Sequence, residues 1–172
     1  MIDSGNGGLS YLKKINIDDY ILIMDKGYFP YGNKSIEFLL KRTLYLCDYL
    51  TKKGVVRIIL ACNTLSLIVL PFIKLFYNNV TGVFDKFIPY INDKTAIIGS
   101  KNTINLLKNI YPNHKLIDGS DFINCIENNK CYKKIINQIN EMIKDNSNLI
   151  LACTHFIELK HNDFCIPIIK NL

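Results

Sequence analysis

The sequence predicts an α/β protein made of two small domains, each with a parallel sheet, that are related by pseudo-symmetry. Short apolar runs without polar alternation recur along the chain, which is typical of strands buried on both faces by helices. Two of these runs, 55–61 and 148–152, each lead to a cysteine followed by polar residues. The pattern of strand, turn and helix restarts near residue 95. We therefore expect a first domain over residues 1–92, a second over 93–163, and an active site in the cleft between them.

The composition is that of a globular chain. Its 172 residues are 49% hydrophobic and 21% charged, which is enough apolar content to bury a core. The net charge of +6 comes from lysines scattered along the chain, without a basic run interleaved with aromatic residues, so we expect no nucleic-acid partner. The apolar runs are too short to span a bilayer, and no signal peptide precedes Asp3. We therefore expect no membrane partner and a cytoplasmic location.

Six cysteines stand in the chain, at positions 47, 62, 125, 131, 153 and 165. They contain no C-x-x-C pair, and no two histidines have ligand spacing, so a zinc site is not expected. A disulfide scaffold is usually small and loop-rich, unlike this chain. Small core residues are predicted at four of the positions, Cys47, Cys125, Cys131 and Cys165. Cys62 and Cys153 differ from these because each stands where a strand ends.

The positions of Cys62 and Cys153 favour a chemical role. The carboxyl ends of parallel strands form the edge at which ligands bind in α/β proteins. Asn63 and Thr64 are good capping residues for a following helix, and N–H groups at a helix start lower the pKa of a thiol. His155 stands two residues after Cys153, where an imidazole can orient a thiol or share its proton, although a lone histidine is more often structural.

Four motifs, in order, identify a family. Residues 3–10 read D-S-G-N-G-G-L-S, residues 29–35 read F-P-Y-G-N-K-S, and the cysteine turns read A-C-N-T at 61–64 and C-T-H at 153–155. These segments resemble motifs of the glutamate racemases, in the aspartate/glutamate racemase superfamily. The resemblance covers nearly the whole chain, which is shortened at both ends. It implies an isomerase that interconverts L- and D-glutamate for peptidoglycan, uses neither pyridoxal phosphate nor a metal ion, and takes glutamate as its small-molecule partner. A homodimer is left open.

The resemblance also implies roles for individual residues. Cys62, partnered by Asp3, would serve one face of the substrate, and Cys153, partnered by His155, the other. Racemisation requires a base and an acid on opposite sides, because the α-proton leaves one face and another returns to the opposite face. Glu127 is a looser match to the family's catalytic glutamate. Substrate contacts are implied for six residues: Asn63, Thr64 and Thr154 at the α-carboxylate, and Ser4, Tyr31 and Gly32 at the side-chain carboxylate.

Other interpretations of the same residues stay open. Asp3 and Ser4 fit a helix N-cap, residues 30–32 fit an ordinary turn, and Glu127 fits a solvated surface. The alternative functions are an aspartate racemase, another two-cysteine amino-acid isomerase, or a truncated remnant of the family without catalytic activity.

The chain departs from the family pattern in three places. Gly27 and Tyr28 stand where the family usually has Ala-Arg. Only two residues precede Asp3, so we expect the central first strand to be nearly missing. Its loss would expose four apolar neighbours, Ile21, Ile23, Ile58 and Leu60. Near the other end, residues 164–172 are expected to form a strand that returns to the first domain.

Overall fold

The computed structural model describes residues 1–15, 17–130, 132–142, 148–159 and 165–166, and these residues form two parallel sheets. The strands of the first sheet are β1 (Ile2–Asp3), β2 (Ile23–Met24), β3 (Ile58–Leu60) and β4 (Val80–Gly82). Those of the second are β5 (Thr95–Gly99), β6 (Lys115–Asp118), β7 (Asn148–Ala152) and β8 (Cys165–Ile166). Their orders are β2-β1-β3-β4 and β6-β5-β7-β8. The predicted α/β class is confirmed, and the boundary predicted at residue 92 falls between the sheets.

Helices connect the strands. They are α1 (Gly7–Leu12), α2 (Ile36–Lys52), α3 (Asn63–Ile68), α4 (Leu70–Ile73), α5 (Lys101–Ile110), α6 (Ser120–Glu127) and α7 (Tyr132–Met142). Helix α2 follows Ser35, whose hydroxyl accepts a hydrogen bond from the Phe38 N–H at 3.2 Å and caps the first turn. Cys47 is fully buried on the apolar face of α2. In the part of the chain that the structure describes, no helix is long and apolar enough to cross a membrane.

The first strand is short, but it holds the central position of its sheet. Ile2 pairs with Ile23 on one side and with Leu60 on the other. The backbone carbonyls of Met1 and Ile2 accept hydrogen bonds from the N–H groups of Ile23 and Ala61, both at 2.9 Å. The expectation of a nearly missing first strand holds for its length, since β1 has two residues, but these residues still supply backbone partners to both neighbours. Of the four neighbours expected to be exposed, Ile58 and Leu60 are fully buried like Ile2, Ile23 is half-buried, and Ile21 is 39% exposed.

Strand β8 lies at the edge of the second sheet. Cys165 pairs with Leu149, and Ile166 with Ile150, in a parallel register. The predicted return of residues 164–172 to the first domain is therefore corrected for Cys165–Ile166, whose backbone finds its partners on β7. The rest of that predicted strand, residues 164 and 167–172, lies outside the described residues.

The two halves of the chain share a hydrophobic cluster. Its buried members include Met1, Tyr11, Ala61 and Phe84 from the first half, and Ile97, Ile104 and Ile150 from the second. Removing this apolar surface from water favours contact between the two sheet domains. The shared core thereby sets the position of one domain relative to the other, which a site built from both domains requires.

Candidate active site

Two cysteines stand directly beyond the strands β3 and β7. Cys62 is the N-cap of α3 and is 8% exposed, and Cys153 precedes the 3-10 turn Thr154–Glu158. The thiols are close enough that the charge of Cys153 raises the pKa of Cys62. Burial is the main cause of that raised pKa, and the charge of Asp3 adds to it. The N–H groups of α3 act in the opposite direction but do not outweigh burial, so the lower pKa expected at this helix start is not found for Cys62.

Asp3 joins the first domain to the second. Its carboxylate is 1% exposed and accepts a hydrogen bond from the Gly5 N–H at 3.0 Å and another from the Thr154 hydroxyl at 3.0 Å. Burial raises the pKa of this carboxyl group. The N-cap interpretation does not fit, because α1 begins at Gly7 after Asn6. The charge of Asp3 thus acts on the pKa of Cys62, but the described hydrogen bonds of its carboxylate come from Gly5 and Thr154.

A chain of hydrogen bonds runs from the second thiol to a carboxylate. The Cys153 Sγ lies 3.5 Å from the His155 Nδ1, and the His155 Nε2 lies 2.8 Å from the Glu127 Oε2. The same oxygen of Glu127 accepts a hydrogen bond from the Asn6 N–H at 2.8 Å, which ties α6 to the opening turn. Glu127 is therefore positioned inside the site, where its side chain is 12% exposed, and not on a solvated surface.

The electrostatic surroundings of His155 favour a protonated imidazole. Burial of His155 alone would lower its pKa, but the charge of Cys153 and the hydrogen bonds to Cys153 and Glu127 raise it to about 10. Burial would likewise raise the pKa of Glu127, yet the hydrogen bonds from His155 and from the Asn6 N–H hold it below its ordinary value. These shifts favour an imidazolium at His155 paired with a carboxylate at Glu127.

We expect the Glu127→Gln variant to lose stability relative to the parent chain in a pH-dependent way. The raised His155 pKa contributes stability that is fully present below the ordinary value of 6.5 and is lost as the pH rises through about 10. The lowered Glu127 pKa makes that contribution complete only above its ordinary value of 4.5. Denaturant unfolding should therefore give the largest difference between the two proteins at pH 4.5 to 6.5 and a shrinking one toward pH 10.

Glu141→Gln, at an exposed position on α7, is the control for this comparison. It should unfold like the parent chain at every pH. A difference for Glu127→Gln that is constant from pH 5 to pH 10 would contradict the coupling between Glu127 and His155.

The turn Tyr31–Asn33 brings two of the predicted substrate contacts to the domain interface. Tyr31 is 1% exposed, and its hydroxyl donates a hydrogen bond to Asp25. Gly32 packs against Ser100 of the second domain so closely that a Cβ at this position would overlap the Ser100 Cβ and lie 2.6 Å from its Oγ. An ordinary solvated turn would not need a glycine here, so the close approach favours a constrained position in the site.

Three hydroxyl groups meet beside this turn. The Thr64 Oγ1 lies 2.9 Å from the Ser100 Oγ and 3.3 Å from the Thr103 Oγ1, and the latter two oxygens are 3.1 Å apart. The sequence indicated Thr64 but not Ser100 or Thr103. The signal that could have found them is the position of Ser100 directly after β5, at the carboxyl edge of its sheet.

Asn63 carries an amide without a partner. The residue is 2% exposed, and neither side-chain Nδ2 nor Oδ1 has a hydrogen-bond partner among the described residues. Buried polar groups are normally paired, so this amide calls for a ligand. Two further predicted contacts, Ser4 and Thr154, are also buried, at 4% and 1% exposure. In the described part of the chain, no group of three or more His, Cys, Asp or Glu side chains is placed to hold a metal ion.

The fold and the site together define a class of protein, the two-domain α/β proteins that bring one cysteine from the strand end of each sheet to a shared site. The glutamate racemase of Buchnera aphidicola subsp. Schizaphis graminum is 34% identical over 93% of this chain and 73% of its own length. The glutamate racemase of Borreliella burgdorferi is 31% identical over 99% of this chain and 74% of its own length. The chain therefore belongs to the glutamate racemase family.

Solved structures agree on the fold. The glutamate racemase of Campylobacter jejuni superposes with a TM-score of 0.74 at 27% identity, covering 97% of this chain and 78% of that one. The glutamate racemase of Francisella tularensis in complex with D-glutamate superposes with a TM-score of 0.68 at 24% identity, covering 90% of this chain and 68% of that one. No protein-family model matches the chain.

Proposed function

We propose that this site interconverts L- and D-glutamate by a two-thiol acid and base mechanism. The observation that carries the proposal is the pair Cys62 and Cys153, which stand beyond corresponding strands of the two sheets and interact electrostatically. Racemisation needs one proton-accepting and one proton-donating group on opposite sides of the α-carbon. Membership of the glutamate racemase family supports both the reaction and the substrate.

The electrostatics differ between the two thiols and suit one base and one acid. Burial and the Asp3 charge raise the Cys62 pKa and favour its thiol form, whereas the Cys153 Sγ lies 3.5 Å from the His155 Nδ1, which places the imidazole to take up the Cys153 proton. In this state the Cys153 sulfur accepts the α-proton from one face of glutamate, and Cys62 donates its own proton to the opposite face. Cys153 is then a thiol and Cys62 a thiolate, so the next turnover runs in reverse unless the protons exchange with solvent.

Substrate binding is proposed from groups that converge on the two thiols. The unpaired amide of Asn63, the hydroxyl of Thr64 and the backbone N–H of Thr154 supply donors for the α-carboxylate, while the Thr154 hydroxyl donates to Asp3. Such donors also stabilise the negative charge that develops when the α-proton leaves. The turn at Tyr31 and Gly32, together with Ser4, supplies the site for the side-chain carboxylate, where backbone N–H groups bind an anion.

The cellular role follows from the product. We propose that D-glutamate formed here is used for peptidoglycan and that the enzyme works in the cytoplasm. Four cysteines among the described residues, Cys47, Cys62, Cys125 and Cys153, are free thiols, as is usual in a reducing compartment.

A homodimer stays a prediction, which light scattering on the purified chain would test.

The purified chain is expected to exchange the α-proton of glutamate with deuterium from solvent, with exchange faster for glutamate than for aspartate. Proton NMR in heavy water measures this loss of the α-proton signal directly. A metal chelator and hydroxylamine should leave the rate unchanged, because thiols alone accept and donate the proton. Absence of exchange with either amino acid would contradict the proposed function and favour a remnant without catalytic activity. Faster exchange with aspartate would reassign the substrate.

A further inference from the structure

A partly buried ion pair between Asp25 and Arg42 lies next to the substrate turn. Asp25 follows β2 and is 8% exposed. Arg42 of α2 binds both of its oxygens, with Nε 2.9 Å from Oδ2 and Nη2 2.7 Å from Oδ1. This two-pronged geometry matches the planar guanidinium fork to the carboxylate, and a lysine cannot reproduce it.

Aromatic rings hold the guanidinium in place. The Arg42 Cζ lies 4.7 Å from the ring centroid of Tyr28 and 5.0 Å from that of Tyr45. Tyr28 stands where the family motif usually has arginine, and in this chain its ring packs against the Arg42 guanidinium. These ring contacts restrict the side chain and favour a single orientation of its fork toward Asp25.

The ion pair reaches the substrate turn through one hydroxyl. The Tyr31 hydroxyl donates a hydrogen bond to the Asp25 Oδ2, the same oxygen that accepts from the Arg42 Nε. On the other side of the turn, Gly32 packs against Ser100, whose hydroxyl lies 2.9 Å from that of Thr64. The turn is thus held between a charged group of the first domain and a hydroxyl cluster that spans both domains.

We propose that Arg42 is a positioning residue: through Asp25 it holds the Tyr31–Gly32 turn in the shape that receives the substrate's side-chain carboxylate. The inference rests on the proposed function for the identity of that substrate. Arg42 acts in two ways. Its fork fixes the carboxylate to which Tyr31 is anchored, and its charge cancels that of Asp25, which would otherwise repel an incoming carboxylate.

An interaction that positions the binding turn acts on the ground state and the transition state alike, so its loss raises KM and leaves kcat nearly unchanged. For Arg42→Met we expect KM for glutamate to rise roughly ten- to a hundredfold, since a small misplacement of a positioning group has effects of that size. Arg42→Lys keeps the charge without the fork and should fall between Arg42→Met and the parent chain. Tyr31→Phe removes only the hydroxyl link and should also raise KM.

The matched control is Lys41→Met, one position earlier on α2. Lys41 forms an exposed ion pair with Glu37 at 2.7 Å, so its loss should leave both KM and kcat unchanged.

The double variant Arg42→Met with Tyr31→Phe supplies a further test, because both changes break the same connection. Its KM should be no higher than that of the worse single variant, since residues in one network are not additive.

Hydrogen exchange of the Tyr31 and Gly32 backbone amides, followed by mass spectrometry without substrate, separates this inference from the function. Arg42→Met should accelerate their exchange about tenfold, and Lys41→Met should not. An inactive parent chain would overturn the proposed function, and the amide rates would then decide whether Arg42 holds the turn. With an active parent chain, three results would overturn the inference alone: an Arg42→Met variant like Lys41→Met, a loss confined to kcat, or additive effects in the double variant.

Discussion

Replacing either Cys62 or Cys153 by serine is expected to reduce the racemisation of glutamate by about 10²- to 10⁴-fold, the range that a positioned general acid or base contributes. A hydroxyl is a far weaker base than a thiolate at neutral pH, so serine keeps the shape of the side chain and removes the proton transfer. Each variant should also lose α-proton exchange with the enantiomer whose hydrogen faces the missing thiol. Circular dichroism records inversion, and NMR in heavy water records exchange.

The two serine variants should retain slow exchange with opposite enantiomers, because one thiol remains on one face in each. Cys125→Ser is the matched control, since Cys125 is a free and partly buried thiol of α6. It should racemise glutamate like the parent chain. If both active-site variants kept exchange with the same enantiomer, the two thiols would not serve opposite faces and the mechanism would have to be abandoned.

Gly7→Ala is expected to lower kcat/KM about 10²-fold, although it adds only one methyl group. A Cβ on Gly7 would overlap the Thr154 Oγ1, and it would lie 2.8 Å from the His155 Nδ1 and 2.9 Å from the His155 backbone nitrogen. Helix α1 and the Thr154–Glu158 turn must then move apart. That movement disturbs the hydrogen bond from Thr154 to Asp3 and the contact between His155 and Cys153, and displacements of about 1 Å in a catalytic group have effects of this size.

Gly27→Ala is the control for this substitution. Nothing lies within 4 Å of a Cβ at Gly27, so alanine should leave both activity and melting temperature unchanged. Overpacking at Gly7 should cost about 1–3 kcal/mol of unfolding free energy, which a thermal melt of the folded variant would register as a lower midpoint. Normal kcat/KM in Gly7→Ala would mean that the α1 contact does not position Thr154 and His155.

The sequence alone was sufficient for features that are written in contiguous residues. Apolar runs ending in A-C-N and A-C-T turns predicted two parallel sheets with cysteines at their carboxyl edges, and the described strands β3 and β7 end there. The opening motif and the turn at residues 30–32 were likewise recognisable. Each is a local pattern, because strand burial, turn formation and helix capping depend mainly on neighbours in the chain.

Of the sequence-based expectations about the ends of the chain, one was right only in part and the other was wrong. The first strand is nearly missing in length, as expected, but its two residues suffice to pair with both neighbours, so the central position of the sheet is still filled. The predicted return of the last strand to the first domain followed the resemblance, but Cys165–Ile166 pairs with β7. Strand pairing between distant segments depends on which sheet edge is available, and that is not encoded within the strand.

What the sequence by itself determined about this protein is its class, its family and the two thiols, because those depend on short motifs. Only the tertiary structure decided which groups surround the thiols. Glu127 meets His155 across 28 positions and the Asn6 N–H across 121, and Arg42 meets Asp25 across 17. The motifs indicated His155 and, more loosely, Glu127, but no local pattern marks the contacts that these residues make. They come together because the packing of two domains brings separate strand ends and helices to one place, and buried charges are stable only where such partners exist.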